Sequence, residues 1–340
     1  MAHVVFSHWF AIVVLIMAAS STETKAFYRI GVPGVPWGDA ECAEWKTQTK
    51  RQRSYKDDVL SAIEALKESF DVEQYGALPH DPERYPLYIV KTRNWKSENP
   101  FVLITGGVHG YETSGVKGAL LFLQTQALDY AAKFNILVAP CVSPWAWEHI
   151  QRWQADLQDP NRSFQKDDPK AQTDEAKALM EYIHKKVEVG SAGFTCHLDL
   201  HETTDTDETE FMPAKHAKAG LMYDGETIPD GFYVVANNEL PDGPQLDFQD
   251  AIINSVRKVT HIAPPDDKGN IIDEPVVREG VIVVPAKTLG LCCSFTGAKY
   301  QSTTEVYPDS PKATDDDCNH AQVAAVVGAL DYILVTQQTS

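Results

Sequence analysis

Residues 135–142, NILVAPCV, form a continuous apolar run that only a strand covered on both faces can carry. Shorter runs of the same kind lie at 85–90, 101–105 and 194–200, and helical segments at 115–130 and 174–187 stand between them. This alternation predicts an α/β fold, a single domain with a central mixed, largely parallel sheet and helices on both faces. The second half continues with apolar runs at 231–236, 280–285 and 289–296, a helix near 248–259 and a closing helix over 319–335. Upstream, 54–70 is an amphipathic helix with Val59, Ile63, Leu66 and Phe70 on one side. No internal repeat or low-complexity linker divides the chain, so one domain is expected over residues 27–340.

Partners are narrowed by charge. A formal net charge of −18 repels phosphate backbones and anionic headgroups, which excludes nucleic acid as the natural partner. Residues 4–20 contain no Lys, Arg, Asp or Glu, and the apolar run 9–19 ends in small residues at 18–21. That pattern predicts a signal peptide over 1–20 and a secreted or lumenal protein with no membrane contact after its removal. An uncleaved anchor or a misread start remains open, because the only positive group ahead of the apolar run is the α-amino group. Of the six cysteines, Cys141 and Cys196 fall in apolar runs as buried thiols, while Cys42 and Cys318, in polar settings, are the better disulfide candidates. No CxxC pair exists, so a cysteine-ligated structural zinc is not expected.

Chemistry concentrates in four places. In TGGVHGYETSG, residues 105–115, a buried strand runs into paired glycines, and His109 and Glu112 follow three positions apart. One helical turn can bring an imidazole and a carboxylate together, and zinc accepts both. In TCHLDLHETT, residues 195–204, period-two alternation puts His197, Asp199 and His201 on one face, with His201 at the strand end. Asp199 or Glu202 is then placed to orient His201. LQDPNRSF, residues 157–164, offers Asn161 and Arg162, an amide and a planar cationic fork suited to a carboxylate. STTEVYP, residues 302–308, puts Glu305 in a short β-prone run. Each piece alone has a plainer reading: chance HxxE, a core histidine, a surface arginine, an exposed strand glutamate. Their order along successive strand ends is what raises them above it.

In that order the four resemble the zinc carboxypeptidases. DPNRSF and DLHETT are especially similar to the aspartoacylase and succinylglutamate desuccinylase branch, whose patterns read DLNR-F and DLH-T, and Pro160 departs from the usual Leu. The resemblance implies one Zn2+ per chain on His109, Glu112 and His201. It also implies Glu305 as general base and acid, Arg152 as the group that stabilises an oxyanion, and Asn161 with Arg162 as the clamp on a substrate carboxylate. The substrate is then a peptide with a free carboxyl terminus, hydrolysed at its last bond, or an N-acyl amino acid. A zinc-binding module without activity is the third possibility. The family's tyrosine over the substrate has no clear counterpart; Tyr233 and Tyr300 are candidates. Trp145, Trp147 and Trp153 are read as core. Asn161-Arg162-Ser163 has the form of a glycosylation sequon. A glycan there would block the clamp, so mass spectrometry of the secreted protein should find Asn161 unmodified; an occupied site removes the clamp assignment.

Overall fold

The apolar runs pair where their alternation requires. The computed structural model describes residues 27–338 apart from 166, 169–171, 192, 226 and 241, so the expected signal segment lies outside the described residues. The strands among them are β1 (Asp71–Ala77), β2 (Pro86–Lys91), β3 (Phe101–Gly106), β4 (Asn135–Ala139), β5 (Phe194–Glu202), β6 (Tyr233–Asn237), β7 (Asn270–Ile271), β8 (Glu274–Pro275), β9 (Val281–Val284) and β10 (Tyr300–Val306). The helices are α1 (Asp39–Gln48), α2 (Ser61–Leu66), α3 (Thr113–Thr125), α4 (Ala127–Tyr130), α5 (Pro144–His149), α6 (Asp174–Lys186), α7 (Met212–Lys218), α8 (Asp242–Val256) and α9 (Asp315–Gln338).

Eight strands form one sheet in the order β1-β2-β4-β3-β5-β10-β6-β9, and β7 and β8 make a separate hairpin. The central four, β4, β3, β5 and β10, are parallel; β1, β2 and β4 pair antiparallel, as do β10 and β6, and β9 runs parallel to β6. The mixed, largely parallel sheet is therefore as the alternation predicts. Leaving β3, the chain crosses to β4 on one side and returns as β5 on the other. A crevice opens where two such connections part, at the carboxyl ends of the strands.

Alternate residues fill two cores. Val102, Ile104, Ile136, Val138, Leu198 and Leu200 face the layer holding α3, α8 and α9. Phe101, Leu103, Leu137 and Ala139 face Ala176, Leu179, Met180 and Ile183 of α6. Each fully buried aliphatic side chain contributes roughly 1.5–3 kcal/mol. α9 is long and apolar enough to span a bilayer, yet it packs against α3 and α8 as a core helix.

Several boundaries differ from the sequence reading. The helix expected over 115–130 breaks at Gln126 into α3 and α4. The strand expected to reach 142 stops at Ala139, because Pro140 has no N–H to continue the ladder. Helix 54–70 begins as a π turn, Lys56–Leu60, and ends at Leu66. Run 289–296 forms only a 3-10 turn, Cys292–Ser294. β1 had no apolar signal: it is an edge strand whose Glu73 pairs with Lys91. The disulfide expectation fails, since all six cysteines are thiols. Cys318 points from α9 into the main core, whereas Cys42 packs beside a separate cluster around Trp45.

One carboxyl is buried away from the crevice. Burial pushes Glu175, near the start of α6, from 4.5 up to about 8. The folded state thus favours the protonated form, and stability is lost as pH rises from 4.5 through about 8. Urea unfolding of the metal-free protein should show this loss, and Glu175→Gln should flatten it; identical pH profiles would show that Glu175 does not carry it.

Candidate metal centre

Glycines bring the loop that carries His109 and Glu112 against its neighbouring strand. Gly107 turns the chain after β3 with φ +60°, a conformation glycine adopts without strain. A Cβ on Gly115 would sit 2.3 Å from the Leu200 carbonyl oxygen, so α3 can lean on β5 only with glycine there. The free N–H groups at the start of α3 then reach Glu202: Thr113 and Ser114 donate to its two oxygens at 2.9 and 2.6 Å. Glu202 therefore fastens α3 to β5, and does not orient His201 as the sequence allowed. Arg53 braces the same loop, donating to the Gly110 carbonyl, to Thr113 Oγ1 at 2.9 Å and to the Trp147 carbonyl at 2.7 Å. Its guanidinium lies 3.5 Å from the centre of the Trp147 ring.

Around that seam the three expected ligands converge. His109, Glu112 and His201 are all buried, and one donor atom from each lies within 4.8 Å of the others. Both imidazoles turn Nδ1 toward Glu112: His109 Nδ1 is 2.6 Å from Oε1, and His201 Nδ1 is 2.7 Å from Oε2. Each Nε2 is held from behind by a carboxylate, Asp159 Oδ1 at 3.0 Å for His109 and Asp199 Oδ2 at 2.7 Å for His201. Thr105 Oγ1 donates to Asp199 at 2.6 Å and lies 3.2 Å from His197 Nε2. His197 itself takes no part; burial lowers its imidazole to about 4.

This donor set fits a zinc ion. Two imidazole nitrogens and a carboxylate, each imidazole backed by a second carboxylate, are what catalytic zinc sites use. Glu112 Oε2 has no properly directed hydrogen bond despite its burial, as expected of an oxygen aimed at a cation. Burial alone would raise the Glu112 carboxyl, but His201 and His109 hold it below the usual range. Asp159, partly buried, is held down by Arg152 and His109 against the upward push of its desolvation. Both carboxylates stay anionic in a low-dielectric pocket, which favours a divalent ion.

The remaining predicted residues line the same cleft, a cavity of about 230 Å³. Glu305 stands opposite His201 in the β10–β5 register and accepts a hydrogen bond from Thr203 Oγ1 at 3.1 Å. Burial raises its carboxyl against the pull of His201, and Glu112 and Asp207 add to the rise. Arg162 donates to the Asn161 carbonyl at 2.8 Å and lines the cleft. The Asn161 amide is engaged at both ends: its oxygen accepts from Cys292 N at 2.8 Å, and Nδ2 lies 3.4 Å from His201 Nε2. Arg152 is fixed by Asp159 at 3.1 Å and Asp207 at 3.3 Å, and Tyr111 donates to Asp207 at 2.7 Å. Tyr233 lies in the cleft with its hydroxyl 2.7 Å from Thr203 Oγ1; Tyr300 does not, being stacked on Phe248 in the core. Trp147 and Trp153 are core residues, and Trp145 packs beside them. Asp159, Asp207, Tyr111 and Arg53 were not singled out from the sequence. Asp159 lay in plain view in DPNRSF, where an Asp before Pro reads as a turn.

Comparison with known proteins bears on the fold and on one segment of the chain. Residues 98–225 match the family described as the succinylglutamate desuccinylase/aspartoacylase catalytic domain. No curated protein matches the sequence. A candidate metallopeptidase from Shewanella amazonensis is similar in structure at a TM-score of 0.62 and 22% identity, over 84% of this chain and 98% of that one. A metallo-carboxypeptidase from Burkholderia cenocepacia gives 0.56 and 14%, over 88% and 70%. A metallo-carboxypeptidase from Pseudomonas aeruginosa, in complex with (2-guanidinoethylmercapto)succinic acid, gives 0.55 and 14%, over 83% and 69%. The chain is zinc carboxypeptidase-like in fold, and residues 98–225 carry its likeness to the desuccinylase and aspartoacylase branch.

The carboxylate behind His109 supplies a test that needs no substrate. Asp159→Asn should weaken zinc binding about 10–100-fold in a chelator competition. An unchanged affinity would show that His109 does not depend on Asp159 for its orientation.

Proposed function

We propose that this chain is a zinc-dependent metallocarboxypeptidase, hydrolysing the amide bond to a residue that carries a free carboxylate. The observation that carries the reading is the convergence of His109, Glu112 and His201, each imidazole backed by a carboxylate, in a cleft that also holds Glu305 and Arg162. A zinc ion supplies Lewis acidity, making water nucleophilic near neutral pH and polarising a carbonyl.

The chain's own groups do the rest. Glu305 takes the proton from the attacking water and delivers it to the nitrogen of the leaving amine. Its raised proton affinity, caused by burial beside Glu112 and Asp207, suits that task near neutral pH. Arg162 holds the substrate carboxylate through its planar fork, with the second N–H of the Asn161 amide beside it. Arg152, fixed by Asp159 and Asp207, offers positive charge to the oxyanion without having to reorganise.

A second reading uses the same groups. The family match over 98–225 favours an N-acyl amino acid amidohydrolase, in which the scissile bond joins an acyl group to an amino acid. The dicarboxylate bound by the Pseudomonas enzyme supports a carboxylate-bearing substrate under either reading. Assaying blocked dipeptides beside N-acetyl and N-succinyl amino acids separates them.

Elemental analysis should find about one zinc per chain, and little in His109→Ala. Glu305→Gln should retain the zinc while turnover falls about 10²–10⁴-fold. Full zinc with no hydrolysis by the wild type would favour the inactive binding module, and retained turnover in Glu305→Gln would remove it from the mechanism.

A further inference from the structure

The cleft is chemically divided. Its metal side is charged, with His109, Glu112, Arg152 and Glu305. Its far side is made by β6, β9, the β7–β8 hairpin and the segments before β6 and after β9, and its lining there includes the apolar Val235, Val284, Leu291, Ile228, Leu289 and Ile272. Val235, Val284 and Leu291 belong to a small core cluster beneath the cleft, so this wall is backed by packed side chains. Leu289 and Ile272 are 36% and 38% exposed at the rim.

Ile272 is there against the preference of its backbone. It and Asp273 form the two-residue turn of the β7–β8 hairpin with φ +45° and +64°. Such turns favour Asn or Gly, and a β-branched residue at positive φ is an outlier. The tip is nonetheless firmly seated: Ile271 is buried in the cluster beneath, and Asp266 Oδ1 accepts from Asn270 N and Lys268 N at 2.8 Å each. A strained aliphatic residue held at the rim of a cleft is better explained by what the cleft takes than by the needs of the turn.

Charge points the same way. Arg152 is already paired with Asp159 and Asp207. Arg162 is the cleft guanidinium left for a substrate carboxylate, and Lys215 is an exposed cation on α7. A second carboxylate or an ammonium laid against Val235, Val284 and Leu291 would lose its hydration with no charged side chain among those three to replace it. We propose, resting on the hydrolase reading above, that the residue whose carboxylate enters this cleft carries an apolar side chain, of the Leu, Met or Phe class, and that Ile272 is a specificity-determining residue.

The test compares zinc-loaded wild type with Ile272→Asn. The substrates are N-acetyl amino acids and N-blocked dipeptides ending in Phe, Leu, Ala, Asp or Lys. Wild type should favour Phe and Leu over Asp and Lys by at least about tenfold in kcat/KM. Ile272→Asn should shrink that preference roughly 3- to 10-fold, mainly through KM, while zinc content and thermal stability hold. A preference for Asp or Lys would overturn the proposal, and an unchanged preference in Ile272→Asn would remove Ile272 from it. Calorimetric binding of N-acetyl-L-phenylalanine and N-acetyl-L-aspartate gives a reading independent of turnover. Tighter binding of the phenylalanine derivative without any hydrolysis would keep the apolar wall and defeat the hydrolase reading. Equal or reversed affinities would defeat the wall whatever the turnover.

Discussion

The seam between β3 and β5 is the constraint on which the rest of the structure depends. Connections that leave neighbouring parallel strands in opposite directions open a crevice at their carboxyl ends, but a crevice alone does not align side chains from two segments. Alignment comes from the close approach of α3 to β5, with Gly115 against the Leu200 carbonyl and Glu202 on the first N–H groups of the helix. Glu112 is the residue just before that helix, and His201 the one just before Glu202 on the strand. The capping bonds therefore fix Glu112 and His201 relative to each other. An ion pair at a surface would give no such precision, since exposed pairs are worth about 1 kcal/mol or less and are poorly oriented.

Electrostatics then determine what the seam can hold. Glu112, Asp159, Asp199 and Glu305 crowd the two histidines, and Arg152 offsets only part of that charge. Like charges buried together raise each other's proton affinity unless a cation intervenes. Glu112 and Glu305 respond in opposite directions: the two histidines hold the first down, whereas burial and its acidic neighbours push the second up. Two carboxylates in one pocket with divergent proton affinities suit two roles, one as a permanent anionic ligand and one as a group that exchanges a proton.

How much of this was legible in the sequence follows from which interactions leave a pattern. The strands of the central sheet were legible because each is buried on both faces and must be apolar throughout. The cluster of His109, Glu112 and His201 was legible because a glycine-rich turn and a period-two strand put them at successive strand ends. β1 was not, because an edge strand half open to solvent needs no apolar run. Arg53 and Asp207 were missed because their partners lie 57 and 55 residues away along the chain, and no local spacing reports such contacts. Glu202 was given the wrong role: its position beside His201 suggested orienting that ring, yet the unsatisfied amides of α3 claim it first. The disulfide expectation failed for a related reason. Cys318 sits among polar residues in sequence, but α9 turns it inward, and periodicity around that cysteine was too weak to show it.

The candidate ligand set and the apolar wall of the cleft come from different parts of the chain. His109, Glu112, Asn161, Arg162 and His201 all come from the chain between β3 and the end of β5. Glu305 and the apolar wall come from later strands that join the same sheet from its other side. β10 bridges the two halves, pairing Glu305 with His201 on one edge and with Tyr233 on the other. That pairing holds Glu305, on a later strand, in fixed register beside His201. The apolar wall hangs on β6, β9 and a hairpin outside the sheet, so its rim can vary without disturbing the seam. Ile272 stands at the tip of that hairpin, outside the sheet and at the rim of the cleft, so its side chain shapes the cleft without taking part in the pairing of the strands.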